Sequence, residues 1–167
     1  MAESHRDAGA ERDELLARAV HRLYLEQRLG AGELFGSAPS MAEWEDLPEE
    51  FRESSREQAR DTARLLESVG YAIRPADTGS GVRKLTDEEV ETLAELAHER
   101  WSRERLRTGW RLSGARDDDR RLHPDLVPWG ELSEPRREID RYLVRHLPRS
   151  LAVSGQMLVR DRTRADQ

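Results

Sequence analysis

The chain has 167 residues, of which 36% are hydrophobic and 37% charged, with a formal net charge of −6. That length accommodates one compact domain or two small packed repeats, and a mean hydropathy of −0.88 makes the core modest and the helices amphipathic. An acidic total with interspersed signs argues against a general nucleic-acid binder, and the lack of cysteine excludes disulfides, thiolate metal sites and cysteine nucleophiles.

Residues 1–10 are polar and rich in alanine and glycine, and are expected to be a disordered N-terminus. They carry no apolar core of a signal peptide, and no run approaches the ~20 apolar residues of a membrane span. The chain therefore reads as soluble and cytoplasmic. From Asp13 the residues Leu15, Leu16, Ala19, Val20 and Leu23 fall on one helical face, up to about Leu29. Gly30, Gly32 and Gly36 stop that helix. A short segment with Trp44 and Leu47 follows, then a charged amphipathic helix from about Glu49 to Val69, ended by Gly70. Tyr71 to Ile73 is compatible with a short extended stub.

Residues 75–85, with their Gly, Ser and Pro, read as a linker. Thr86 and Glu89 then have the spacing of a capping box, opening a helix expected to reach about Arg107. Gly109-Trp110 ends it. A long polar loop spans Ser113 to Pro128, a last helix runs from about Glu134 to Val153, and Gly155 stops that one. Residues 161–167 form a polar tail.

The second half repeats the first. At an offset of 77, Leu16-Ala17 falls on Leu93-Ala94, His21 on His98, Tyr24 on Trp101, Arg28-Leu29 on Arg105-Leu106 and Gly32 on Gly109. At an offset of 85, Trp44 falls on Trp129, Leu47 on Leu132, Glu49 on Glu134, Arg56 on Arg141 and Gly70 on Gly155. Shared composition of charged helices accounts for some arginine and glutamate matches, but not for the histidines, tryptophans and glycines. The expected fold class is all-α: two tandem helical repeats, residues 11–74 and 86–160, packed with pseudo-twofold symmetry because two helices alone bury too little surface.

His98, Trp101 and Arg105 are spaced i, i+3, i+7 and share a helical stripe, as do His21, Tyr24 and Arg28. A ring, an imidazole and a guanidinium on one face suit a flat anionic ligand, with the base stacked and its phosphate or carboxylate held by paired charge-assisted hydrogen bonds. Tyr24 and Trp101 are then the two walls of one sandwich. The plainer alternative makes the aromatics and histidines core groups and the arginines partners of structural salt bridges. Asp117 to Asp119 either attract a divalent cation or form a surface turn neutralised by Arg116, Arg120 and Arg121; the second reading is preferred, so no metal site is expected. No nucleophile elbow, P-loop or dinucleotide fingerprint is present, so neither an enzyme nor a resident cofactor is expected.

The run LAELAHERWSRERLRTGWRLSGARDDDRRLHPDLVPW, followed by ELSEPRREIDR, resembles the RyR domain, named after the ryanodine receptor repeats and also found in bacteria. The motif positions are His98, Trp101, Gly109-Trp110, Arg116-Asp117-Asp118, His123-Pro124, Leu126 to Trp129 and Asp140-Arg141, across roughly residues 86–160. The first half resembles a degenerate copy that keeps FRESSREQA and Trp44 but lacks the GW step, the RDD turn and the HP segment. The resemblance implies an all-α fold of paired repeats that binds an adenine-nucleotide-like or ADP-ribose-like ligand. Base stacking then falls to Trp101 and Tyr24, anion binding to Arg105 and Arg28, and support of the ring edge to His98, with His21, Trp110 and Arg116 as further site residues. It further implies a bacterial signalling or defence role, with a separately encoded effector as partner. The alternative is a protein-interaction module that uses the paired helices as a docking surface.

Overall fold

Thr86 caps the helix it was expected to open. Its hydroxyl accepts the Glu89 N–H at 3.2 Å while the Glu89 carboxylate accepts the Thr86 N–H at 2.7 Å. In the computed structural model, which describes residues 2–76, 81–82 and 84–161, this helix is α3, Asp87–Arg107. The other helices are α1, Ala2–Gly30, α2, Glu49–Ser68, and α4, Glu134–Val153. Four short strands complete the elements: β1, Tyr71–Pro75, β2, Arg111–Leu112, β3, Leu122–His123, and β4, Gln156–Arg160.

The chain is predominantly helical but not all-α. Strand β1 pairs antiparallel with β4, placing Tyr71 opposite Arg160 and Ile73 opposite Leu158. Strand β2 pairs in parallel with β3 across the long loop. The correction has a physical cause. Gly70 and Gly155 take φ of +84° and +69°, which end α2 and α4 and turn each following segment into extended backbone. Each five-residue segment then satisfies its backbone groups against the other, burying Tyr71, Ala72 and Leu158. Pairing of segments so far apart leaves no local periodicity, so only Tyr71 to Ile73 was legible as extended. Of the N-terminal residues expected to be disordered, 2–10 belong to α1, and Met1 lies outside the described residues. Of the expected linker, residues 77–80 and 83 lie outside the described residues, as do residues 162–167 of the tail.

Two compact units result. Unit 1 comprises residues 1–85 and 145–167; unit 2 comprises residues 86–144. The boundary at Leu85 falls at the end of the expected linker. The C-terminal segment joins unit 1, where β4 pairs with β1 and Ser150 Oγ donates to the Ala19 carbonyl at 3.1 Å. Leu16, Ala17, Leu23, Met41, Leu47, Leu66, Leu151 and Leu158 fill the core of unit 1. In unit 2, Ala94, Trp129 and Leu132 form the centre, with Val127 and Val144 packed against them.

Each unit ties its Trp-containing loop to its first helix in the same way. His21 Nε2 lies 2.8 Å from the Ala42 carbonyl, and His98 Nε2 lies 2.8 Å from the Val127 carbonyl. Arg56 donates to Glu14 and Glu49 and lies over Trp44 at 5.8 Å. Arg141 donates to Glu91 and Glu134 and lies over Trp129 at 5.7 Å. These clamps place the loops that carry the candidate functional residues.

Candidate functional site

The end of α3 builds the centre of the site. Gly109 takes φ +88°, its N–H donates to Leu106 O, and the Trp110 N–H reaches back to Arg105 O at 3.0 Å. This is a Schellman closure, which needs a left-handed residue that glycine supplies without a Cβ penalty. It returns the chain over the last turn, so the Trp110 ring faces the Arg105 guanidinium at 4.8 Å. The GW step is therefore a device for placing an aromatic face on an arginine.

Trp101 sits one turn earlier on α3. Its ring meets His123 edge-on at 4.9 Å, and Trp110 meets the same histidine at 6.2 Å. His123 is buried and its Nδ1 accepts the Asp125 N–H at 3.1 Å, leaving Nε2 as the proton-bearing nitrogen. Burial, with Arg116, Arg136 and Arg105 around it, pushes its pKa down to about 4. At neutral pH it is an uncharged donor between two indoles.

Charge enters from three arginines. Arg136 pairs with Asp125. Arg116 forms a two-pronged pair with Asp118, Nε to Oδ1 at 2.6 Å and Nη2 to Oδ2 at 3.0 Å. Arg105 differs: among the described residues no carboxylate hydrogen-bonds or ion-pairs with it. Burial holds its pKa below the usual arginine value, and the neighbouring Arg116 charge adds to that effect. A partly desolvated guanidinium without an acid among the described residues, laid on the Trp110 indole, can bind an anion attached to a flat ring.

His98, also expected in the site, is 3% exposed. Besides the Val127 carbonyl, its Nδ1 faces Asp140 Oδ2 at 3.6 Å. Burial alone would lower its pKa, but the Asp140 carboxylate and the Val127 carbonyl outweigh burial and hold it above the ordinary histidine value. Both ring nitrogens thus serve the fold, and His98 braces Trp101 at 5.6 Å.

The corresponding stripe in unit 1 is occupied internally. The Tyr24 hydroxyl is 3.1 Å from Ser40 Oγ, and His21 stacks on Tyr24 while holding Ala42. Arg28 pairs with Glu33, the residue that occupies the position of Trp110. The same backbone closure delivers both: Gly32 takes φ +91° and the Glu33 N–H donates to Arg28 O at 3.1 Å. One closure brings an acid onto its arginine, the other an indole.

The expected site residues Trp101, Arg105, Trp110 and Arg116 lie in unit 2 around His123, whereas His21, Tyr24 and Arg28 lie in unit 1. Sequence reasoning did not place His123, Asp118 or Arg136 in the site. The signal for Asp118 was the Arg-x-Asp spacing of the RDD turn, and that for His123 was the apolar segment around it. Among the described residues no helix is long and apolar enough to cross a membrane, and no three His, Asp or Glu side chains group to hold a metal ion.

The fold and site together define a small, mostly helical module with an arginine–tryptophan cluster on a helix–loop–helix frame. The RyR domain model matches residues 76–160, just over half of the chain, and the chain belongs to the RyR domain family.

Proposed function

We propose that unit 2 is a non-enzymatic binding module for a nucleotide-like or ADP-ribose-like ligand. The observation that carries this reading is Arg105: a partly desolvated guanidinium with no carboxylate partner among the described residues, laid on Trp110. Left without an anion, such a group costs desolvation energy that a ligand phosphate would recover. Trp101 and Trp110 supply ring faces for the base, and neutral His123 a donor for the ligand's edge. Arg105 and Trp101 are the dominant contacts. Thermal-shift screening with adenine nucleotides, ADP-ribose and cyclic dinucleotides tests this. A stabilising ligand whose shift is lost in Trp101→Ala supports it; no shift with any of them counts against it.

We further propose that residues 11–74 are a degenerate second copy of the family repeat carried by residues 86–160. The matched His–carbonyl, Glu–Arg–Glu and Arg–Trp contacts support this reading, since all recur at the two sequence offsets. In this proposal the module acts in bacterial signalling or defence, in the cytoplasm, and reports occupancy to a separately encoded effector. A second reading, a protein-docking module, is favoured by Leu34 and Phe35, which are 73% and 53% exposed in the turn after α1. Capture of one partner by the native chain but not by a Leu34→Ser, Phe35→Ser variant would favour that reading.

A further inference from the structure

We infer that the Asp118 carboxylate is a built-in stand-in for the ligand's anion, and that a phosphate-bearing ligand enters by taking Arg116 away from it. This rests on the reading of unit 2 as an anion site.

Asp118 pairs with Arg116 through both carboxylate oxygens. That two-pronged geometry is the one a phosphate also uses toward a guanidinium. The hydrogen bonds from Arg116 hold the Asp118 carboxyl below the usual carboxylate range; burial opposes this, and the charges of Arg116 and Arg105 add to it. From the other side, Arg116 and then Asp118 are the charges that act most strongly on Arg105. The carboxylate thus lies where the fields of the two arginines overlap.

The backbone makes the exchange asymmetric. Asp118 belongs to a tight turn closed by Asp117 N–H to Leu122 O at 2.9 Å, Leu122 N–H to Asp117 O at 2.8 Å and Arg121 N–H to Asp118 O at 3.2 Å. Asp117 Oδ1 also accepts the Arg120 N–H at 3.0 Å, and Arg121, at φ +54°, ties the turn to the Thr108 carbonyl at 2.7 Å. Asp118 is therefore presented from a fixed frame, while Arg116 precedes the turn on a long side chain that is 43% exposed. The arginine's long side chain can turn away from that frame, whereas the short carboxylate, itself 44% exposed, stays tethered to it. A phosphate on Arg105 carries more charge than the carboxylate and draws Arg116 across, completing a two-arginine clamp. Asp118 thereby sets how strongly charged a ligand must be.

Calorimetric titration with adenosine diphosphate tests this in the full chain. Removing the competitor with Asp118→Asn should tighten binding about fivefold, in line with the modest strength of a part-exposed ion pair. Asp118→Ser should act alike. Arg116→Ala should weaken binding, and adding Asp118→Asn to Arg116→Ala should give no further gain, because the exchange needs both partners. Equal or weaker binding by both Asp118 variants, with the native chain still binding, overturns the stand-in and leaves the anion site standing. An Asp118→Asn gain that persists without Arg116 also overturns it, as a general field effect. Binding by neither the native chain nor the variants overturns both readings.

Discussion

Two buried histidines in unit 2 are shifted in opposite directions from the ordinary histidine value, and this gives the site a pH signature. His98 has a raised pKa, so its contribution to stability is fully present below the ordinary value near 6.5 and is lost as pH rises through the folded value. His123 is depressed to about 4, so its contribution is present above about 6.5 and is lost as pH falls toward 4. A histidine-resolved NMR titration should show one ring titrating above 6.5 and another near 4. Two rings titrating together near 6.5 would contradict both assignments. The Thr86 box, the stripe of Trp101 and Arg105 and the glycine stops were all legible in the sequence, because each depends on residues within a few positions. His123 and Asp118 were not. Their roles come from burial and from a turn whose closing bonds join residues 117 and 122.

The last turn of α3 and its closure form the decisive element. Gly109 holds φ +88°, where a side chain is disfavoured by about 1–2 kcal/mol. Gly109→Ala should lower stability by about that amount in urea unfolding and change Trp110 fluorescence, since the same turn sets that ring on Arg105. At the other end of α3, Thr86→Ala should cost about 1 kcal/mol through loss of the cap, with the ligand site unaffected. The helices themselves were readable from periodicity: α4 spans the expected residues and α2 ends one residue short of its expected end. The strands were not, because β1 and β4 gain their order from each other and not from local pattern.

For the whole molecule, the two halves use one set of internal contacts for different ends. Both clamp a Trp loop with an arginine between two glutamates, so Arg56→Ala and Arg141→Ala should each cost about 1–2 kcal/mol in thermal unfolding. A negligible effect of either would separate the halves. At the 77-residue offset Glu33 stands against Trp110, so Arg28 is paired with an acid while Arg105 has no acid partner among the described residues. That divergence was present in the sequence at the 77-residue offset, yet became meaningful only once the helix closures showed where the two side chains go.

The central claim is that Arg105 is the anion-binding residue and that Arg28 is already paired with Glu33. Isothermal titration of ADP-ribose and of adenosine diphosphate into the native chain, Arg105→Ala and Arg28→Ala tests it most directly. The prediction is saturable binding of at least one of the two by the native chain, loss of that binding in Arg105→Ala, and an affinity changed by no more than about threefold in Arg28→Ala, as for a contact worth under about 1 kcal/mol. Binding that survives Arg105→Ala, or that disappears in Arg28→Ala alone, would contradict it.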